Sequence, residues 1–239
     1  MKKLAVITGA SSGIGKATAI KLSKEGHPLL LLSRRKHLLE ELNLPNTICK
    51  HLDVTDLENF QLAITDAENK YGKTDLLINN AGIMLLGDSF KQNISEWNDM
   101  IDTNIKGVLN GISCVLNDMK TRKTGTIINI SSIAGRKTFD NHSVYCATKY
   151  AVHAISESIR EEVSNFNVRV SVIAPGIVET SLLKHTTNKS IKNDYVDMKK
   201  AMGGGIEADN IADTIFFIYS QPQNLCIREI VVAPTKQKS

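Results

Sequence analysis

Short apolar runs that alternate with helical patterns are the feature that most limits how this chain can fold. The runs occupy residues 4–7, 29–32, 76–78, 127–130 and 168–174. Such runs fit strands that are buried on both faces, as in a parallel sheet covered by helices. Between them, Leu57, Phe60, Ile64 and Ala67 fall on one face of a helix that Gly72 ends. The alternation predicts an α/β fold, a doubly wound parallel sheet with helices on both faces.

The domain organisation follows from the absence of any break along the sequence. The 239 residues contain no shift in composition and no repeat, which predicts one domain over residues 1–239. The least regular part is about 180–206, which includes three consecutive glycines at 203–205. A long irregular segment in a compact domain predicts a lid or a substrate-binding loop.

Charge and cysteine content limit the expected partners. The net charge is only +4 and the chain has no basic stripe, so no nucleic-acid partner is expected, and the tail at 236–238 is interpreted as a solvated end. The first apolar run is too short for a signal peptide or a membrane span. The cysteines at 49, 114, 146 and 226 have neither close pairing nor metal-ligand spacing. We therefore expect a cytoplasmic protein with reduced thiols, no membrane contact and no metal site.

A glycine-rich turn directly follows the first apolar run. Residues 8–15 read Thr-Gly-Ala-Ser-Ser-Gly-Ile-Gly and lead into an amphipathic helix. Backbone N–H groups at such a strand-to-helix turn bind a pyrophosphate, and glycines let the backbone approach it closely. In isolation three glycines would indicate only a turn, but this position favours dinucleotide binding. The predicted contacts are Gly9, Ser11, Ser12, Gly13, Ile14 and Gly15.

The end of the second apolar run indicates which dinucleotide is bound. An acidic residue there favours NAD, because it binds the ribose hydroxyls. This chain instead has Ser33, Arg34 and Arg35. Two guanidiniums suit a 2′-phosphate, with about 1.5–3 kcal/mol for each charge-assisted hydrogen bond. The pair predicts NADP as the cofactor, the alternative being an exposed basic pair at the start of a helix.

A tyrosine precedes a lysine by four residues at two places, Tyr145–Lys149 and Tyr195–Lys199. On a helix this spacing lets both side chains reach one site. A cation about 4 Å from a phenolate stabilises it by roughly 4 kcal/mol, or about 3 pKa units, which would bring a tyrosine towards neutral pH. Spacing alone does not distinguish the two pairs.

The order of further motifs distinguishes them. The chain resembles the short-chain dehydrogenase/reductase family from residue 3 to about residue 234. Beside the glycine turn, the motifs that carry the resemblance are Asp53-Val54, Asn79-Asn80-Ala81-Gly82, Asn104 within residues 102–107, Ser131-Ser132, Pro175-Gly176 and Thr180. Tyr145 follows Ser132 by 13 residues, as the catalytic pair of that family does, whereas Tyr195 has no such serine and lies in the irregular segment. We therefore interpret Tyr195–Lys199 as structural or solvent-facing, with contact to a substrate left open.

The resemblance implies a Rossmann fold, an NADP-dependent oxidoreductase and a set of site residues. It implies a catalytic group of Asn104, Ser132, Tyr145 and Lys149. It adds to the cofactor contacts Asp53, Val54, Asn80, Ala81, Gly82, Tyr145, Lys149, Pro175, Gly176, Val178 and Thr180. Tyr145 would exchange a proton with the substrate oxygen and Ser132 would hold that oxygen. Asn104 would distort its helix and hold a water that connects Lys149 to solvent.

The resemblance also bears on substrate and assembly. The last apolar run, at 230–232, ends in Ala233-Pro234-Thr235, which is similar to NADP-dependent dehydrogenases of 3-hydroxy acids such as serine. The alternatives are a reductase of 3-oxoacyl compounds or of secondary alcohols and ketones, and a non-catalytic NADP-sensing module. Arg136 and Lys137 could pair with a substrate carboxylate or lie on the surface. Family members commonly assemble, so a homo-tetramer or homo-dimer is expected.

Overall fold

Residues 2–238 are described by a computed structural model, and within them seven parallel strands form one sheet. The strands are β1 (Leu4–Thr8), β2 (Leu29–Ser33), β3 (Thr47–His51), β4 (Thr74–Asn79), β5 (Thr126–Ile130), β6 (Arg169–Pro175) and β7 (Glu229–Val232). Their order is β3-β2-β1-β4-β5-β6-β7, and every neighbouring pair is parallel. The predicted doubly wound Rossmann fold is confirmed.

Helices cover both faces of the sheet. They are α1 (Gly13–Lys24), α2 (Lys36–Glu40), α3 (Leu57–Tyr71), α4 (Ile94–Ile101), α5 (Gly107–Arg122), α6 (Ser143–Val163), α7 (Lys189–Ala201) and α8 (Ala208–Ser220). A π-helical turn, Asp102–Lys106, joins α4 to α5 without leaving the helical backbone. Local signals set several ends: the Asp56 side chain accepts from the Asn59 N–H at the start of α3, and Gly72 ends it with φ of +84°.

The continuous apolar runs serve two layers at once, because successive strand side chains point to opposite faces. In β1, Leu4 and Val6 belong to one buried cluster, whereas Ala5 and Ile7 belong to the other. The first cluster packs under α3, α5 and α6, and the second under α1, α2 and α8. Every residue of β1 is buried, as a central strand with helices on both sides requires.

The segment after β6 is more regular than the sequence suggests. A 3₁₀ turn, Leu182–His185, is followed by α7, which begins where the Asn188 side chain accepts from the Ile191 N–H. Ile191 is the one fully buried residue of this helix. A helix that buries so little apolar surface leaves only a weak periodic signal, so its pattern is easily taken for an irregular loop.

Candidate active site

A cavity of about 780 Å³ opens at the carboxyl ends of the parallel strands. The sheet order reverses here, since β2 lies on one side of β1 and β4 on the other, and open α/β sheets bind ligands at such a point. The volume is within the range of small-molecule and cofactor sites. Every predicted site residue lines the cavity except Gly15 and Asn104.

The turn between β1 and α1 has the backbone conformation that only its glycines adopt easily. Gly9 and Gly13 have φ values of +64° and +52°. Gly15 lies behind the turn, where a Cβ would come within 2.5 Å of the Asn80 Nδ2 and the Gly9 carbonyl oxygen. Gly15 is therefore closely packed and does not line the cavity, and its contact with a cofactor stays a prediction. No side chain caps the N-terminus of α1, so its first N–H groups remain available at the cavity.

The basic pair after β2 is organised around the glycine-rich turn. An Nη2 of Arg35 donates to the Oγ atoms of Ser11 and Ser12, both at 2.9 Å, and Ser33 donates to Ser11 at 2.8 Å. Arg34 lies 4.0 Å from the carboxylate of Asp53. Both guanidiniums line the cavity, so this end is strongly positive.

Further cations from the segment after β6 line the same end of the cavity. They are Lys184, His185 and Lys192. Burial lowers the pKa of His185, and the nearby charges of Arg34 and Arg35 lower it further. This cluster could not be predicted from the sequence, because Lys184 and His185 have the pattern of ordinary surface residues and their approach to the strand ends depends on how the segment folds back.

The side chains of Ser132 and Tyr145 line the other end of the cavity. Ser132 follows β5, whereas Tyr145 and Lys149 lie one turn apart on α6. The Nζ of Lys149 lies 5.7 Å from the centre of the Tyr145 ring and donates to the Ile130 carbonyl oxygen at 3.0 Å. These three side chains are thus brought together as expected from the order of the motifs.

The protonation of this pair differs from the expectation. Burial raises the pKa of Tyr145 well above its usual value, although the Ser132 hydroxyl opposes the shift. Burial also lowers the pKa of Lys149 to about 8. The lysine therefore loses its charge before the phenol would ionise, and the expected fall in the tyrosine pKa was wrong for the protein groups alone. Removal from water disfavours the charged form of each group.

Asn104 lies in the π-helical turn, as the resemblance implied for a residue that distorts its helix. Its side chain accepts from the Ile83 N–H and donates to the Ile83 carbonyl oxygen, both at 2.9 Å, and it also donates to Thr148 Oγ1 at 3.1 Å. A Cβ on Gly82 would lie 3.2 Å from its Oδ1 and 3.7 Å from the Nζ of Lys149. Asn104 is therefore close to the lysine without lining the cavity.

The turn after β6 closes the cavity over the glycine-rich turn. Thr180 packs so closely that a Cβ on Gly13 would lie 2.9 Å from its methyl group. The chain end also takes part: Gln237 Oε1 accepts from the Ile177 N–H at 2.9 Å, and both Gln237 and Lys238 line the cavity. The interpretation of residues 236–238 as a solvated end was wrong for Gln237, whereas Lys236 and Lys238 are exposed.

The second tyrosine–lysine pair lies in α7 rather than in an irregular stretch, and both of its residues line the cavity. Arg136, by contrast, is turned outward and paired with Glu229, and it does not line the cavity. His153 is directed to the same carboxylate, with Nδ1 3.6 Å away. These two residues therefore lie outside the site.

Two other expectations concern a metal site and a membrane-spanning helix. In residues 2–238, no three histidine, cysteine or acidic side chains are grouped so that they could hold a metal ion. No helix in that range is both long and apolar enough to cross a membrane.

Comparison with known proteins decides the family. Residues 3–191 match the short chain dehydrogenase family. The chain belongs to the short-chain dehydrogenase family. An uncharacterized oxidoreductase of Staphylococcus saprophyticus is 41% identical over 98% of this chain and 97% of the relative. One from Listeria monocytogenes is 39% identical with the same coverage. The chain is thus an oxidoreductase of the short-chain dehydrogenase family.

Solved structures of other short-chain dehydrogenases have the same fold. A closed form of serine dehydrogenase complexed with NADP⁺ superimposes with a TM-score of 0.91 at 28% identity, covering 99% of this chain and 96% of that one. The protein ElxO with NADP bound gives 0.83 at 29% identity, covering 97% and 98%. Dehydrogenases of this family with a bound nicotinamide cofactor are therefore among the proteins that this chain resembles.

Proposed function

We propose that this protein is an NADP-dependent oxidoreductase that moves a hydride between the nicotinamide and a small hydroxy or carbonyl compound. One observation carries the proposal. Ser132, Tyr145 and Lys149 meet at one end of a cavity whose other end is formed by the glycine-rich turn and two arginines. A proton-transfer group and a site for a phosphorylated dinucleotide thus share one cleft.

The residues present fit NADP. Gly9 and Gly13 hold the first turn in a left-handed backbone conformation beside the cavity, and the uncapped α1 N-terminus suits a pyrophosphate. Arg34 and Arg35 would hold the 2′-phosphate, and their preference for NADP over NAD is part of the proposal. The remaining contacts would come from the ends of β3, β4 and β6, as predicted from the sequence. When bound, the cofactor supplies or accepts the hydride.

Tyr145 would exchange the proton at the substrate oxygen. In the reducing direction it acts as the acid, and its raised pKa keeps the phenol protonated for that step. In the oxidising direction it must release that proton, which requires an added positive charge close to the ring. Ser132 would hold the same oxygen by a hydrogen bond, which stabilises negative charge as it develops.

Lys149 and Asn104 would support this proton transfer. Lys149 shares the buried end of the cavity with the phenol, and its pKa of about 8 lets it gain or lose a proton near neutral pH. Asn104 fixes the backbone at Ile83, beside Gly82 and the lysine. We assign to it the positioning of this region and, by resemblance, of a water that leads to solvent.

The remaining parts of the proposal concern organisation. Residues 1–239 would act as one NADP-binding domain, with the segment at about 180–206 as the part that covers the substrate.

Assembly into a tetramer or dimer is supported by Leu109 on α5 and Tyr150 on α6, which are 41% and 43% exposed on the helices that the resemblance implies at an interface. The four unpaired thiols are in keeping with a reducing cytoplasm.

A cofactor-coupled screen tests the function. NADPH oxidation is followed with small aldehydes and ketones, and NADP reduction with hydroxy compounds, with NADH and NAD in parallel. Turnover of at least one carbonyl compound with a clear preference for NADPH supports the proposal. No turnover of any compound, or a clear preference for NADH, contradicts it.

A further inference from the structure

Aromatic side chains surround Tyr145 on the side away from the phosphate end of the cavity. The ring of His142 lies at their centre, 6.3 Å from the ring of Tyr145, 6.3 Å from that of Tyr195 and 5.7 Å from that of Phe139, between centroids. All four residues line the cavity. Any substrate whose oxygen reaches the Tyr145 hydroxyl must place its neighbouring atoms against this group.

The aromatic group is electrically neutral near pH 7. Nδ1 of His142 lies 2.6 Å from the Asp140 carbonyl oxygen, which fixes that nitrogen as the protonated one in the neutral ring. Burial lowers the pKa of His142 and raises the pKa of Tyr195 to about 12. Neither ring therefore offers a charge that would attract a carboxylate.

The side chains that pack with these rings are apolar, and the acidic groups close to His142 and Tyr195 are the carboxylates of Asp140 and Glu179. Met84 and Leu182 line the cavity beside them, and the buried cluster behind consists of Leu85, Leu86, Met100 and Ile191. A substrate carboxylate placed here would lose its hydration without gaining a counter-charge, which is strongly unfavourable.

Apart from Lys149, which shares the buried end of the cavity with Tyr145, the cations near these rings do not face the cavity wall or are already paired. The Nζ of Lys137 lies 5.7 Å from the centre of the Phe139 ring, but Lys137 does not line the cavity. Lys199 is bound to the carboxylate of Glu179 at 2.5 Å, and Arg136 is paired with Glu229 outside the cavity. Lys192 lies with His185 towards the phosphate end. The wall that faces the reacting oxygen is thus formed by rings and apolar side chains.

We propose that the substrate is an uncharged carbonyl compound or alcohol whose aromatic or other planar apolar group packs against Phe139, His142 and Tyr195. This inference rests on the proposed function, because it assigns the substrate class of the same site. Rings pack well edge-to-face or offset against other rings at centroid distances like those found here. The site accordingly differs from one built for 3-hydroxy acids, although the chain resembles serine dehydrogenase in fold.

A matched series of methyl ketones tests the charge and the ring separately. Benzylacetone carries a phenyl group. Methyl levulinate carries a neutral ester in its place, and levulinate carries a carboxylate. We expect kcat/KM with NADPH to fall from benzylacetone to methyl levulinate to levulinate, by about tenfold or more at each step. The inference would be overturned if levulinate were reduced as efficiently as benzylacetone. It would also be overturned if L-serine were oxidised more efficiently than benzyl-substituted alcohols.

Binding to the NADP⁺-saturated protein separates this inference from the proposed function, because no hydride can be donated in that complex. Calorimetry should detect benzylacetone binding, weakened about tenfold or more in Tyr195→Ala. The control is Phe90→Ala, an aromatic residue that is 82% exposed and outside the cavity, which should bind as the wild type does. The ketone series needs no variant, so it still decides the matter should Tyr195→Ala fail to fold.

The two proposals fail in different ways. Binding of benzylacetone together with no reduction of any carbonyl compound would contradict the proposed function and leave the aromatic site standing. Reduction of other carbonyl compounds without binding or turnover of benzylacetone would overturn the aromatic site and leave the proposed function standing.

Discussion

The Nζ of Lys149 lies 5.7 Å from the centre of the Tyr145 ring, and its hydrogen bond goes to the Ile130 carbonyl oxygen rather than to the phenol. Burial lowers the pKa of the lysine to about 8 and raises that of the tyrosine. Near pH 7 the polypeptide therefore holds a neutral phenol beside a lysine that titrates close to that pH.

The lowered lysine pKa makes stability depend on pH. Between about pH 8 and the ordinary value of 10.5, the unfolded chain binds the proton that folded Lys149 has lost, so the free energy of unfolding rises with pH. The difference between the two pKa values gives a gain of roughly 3 kcal/mol over this window. Urea titrations should show the gain in the wild type and not in Lys149→Met.

Ionisation of Tyr145 opposes this effect above pH 10. Its raised pKa means that the folded chain keeps a proton which the unfolded chain loses, so stability falls there as pH rises. The contribution of Lys149 to the free energy of unfolding is therefore the difference between the wild type and Lys149→Met, measured below pH 10. The same slope in both proteins would contradict the lowered lysine pKa.

Arg35 should set the preference for the phosphorylated cofactor. Its guanidinium is held over Ser11 and Ser12, and losing one charge-assisted contact of about 1.5–3 kcal/mol should raise the KM for NADPH about tenfold or more in Arg35→Ala. The KM for NADH should change little. Lys36→Ala is the matched control, since Lys36 is the next cation along the chain, pairs with Glu40 and does not line the cavity.

His185 should strengthen cofactor binding mainly when it is protonated. Its lowered pKa means that the ring is neutral at about pH 8 and gains charge as pH falls below its ordinary value near 6.5. His185→Gln should therefore weaken binding of 2′-AMP more at about pH 6 than at about pH 8, measured by calorimetry. The control is Lys189→Gln, a change at an exposed residue of the same segment. It should weaken 2′-AMP binding only slightly, and to the same extent at the two pH values. A pH-independent loss in His185→Gln would contradict a charge contact.

Asn104 should contribute to stability through the backbone of Ile83. Asn104→Ala leaves the N–H and the carbonyl of Ile83 without partners, each at a cost of about 1–3 kcal/mol when buried. The midpoint of urea unfolding should fall clearly, whereas Asn98→Ala, an exposed change on α4, should leave it nearly unchanged. An equal effect of the two substitutions would show that the amide is not structurally required.

The sequence was sufficient for the parts of the fold that have a local signal. The apolar runs predicted the strands, although β4 extends over buried polar residues, Thr74, Asp75 and Asn79, which no apolar pattern includes. The glycine-rich turn and the basic pair lie in sequence beside the strands that position them. For that reason their place at the cavity could be predicted.

The remaining features depend on how distant segments pack. Tyr195 reaches the cavity only because α7 packs against the residues that follow β4 and against the start of α6. Gln237 reaches it because the chain end returns to the Ile177 backbone. The pKa values of Tyr145 and Lys149 depend on burial, which the four-residue spacing does not contain. Spacing predicted which groups meet, but not the cost of removing them from water.

The most direct test is NADPH oxidation by Tyr145→Phe with any carbonyl compound that the wild type reduces. The account predicts a fall in kcat of about 10²–10⁴-fold, because the proton donor is lost, with the dissociation constant for NADPH unchanged. Tyr150→Phe, on the same helix and outside the cavity, should keep wild-type turnover. Turnover by Tyr145→Phe at the wild-type rate would contradict the account.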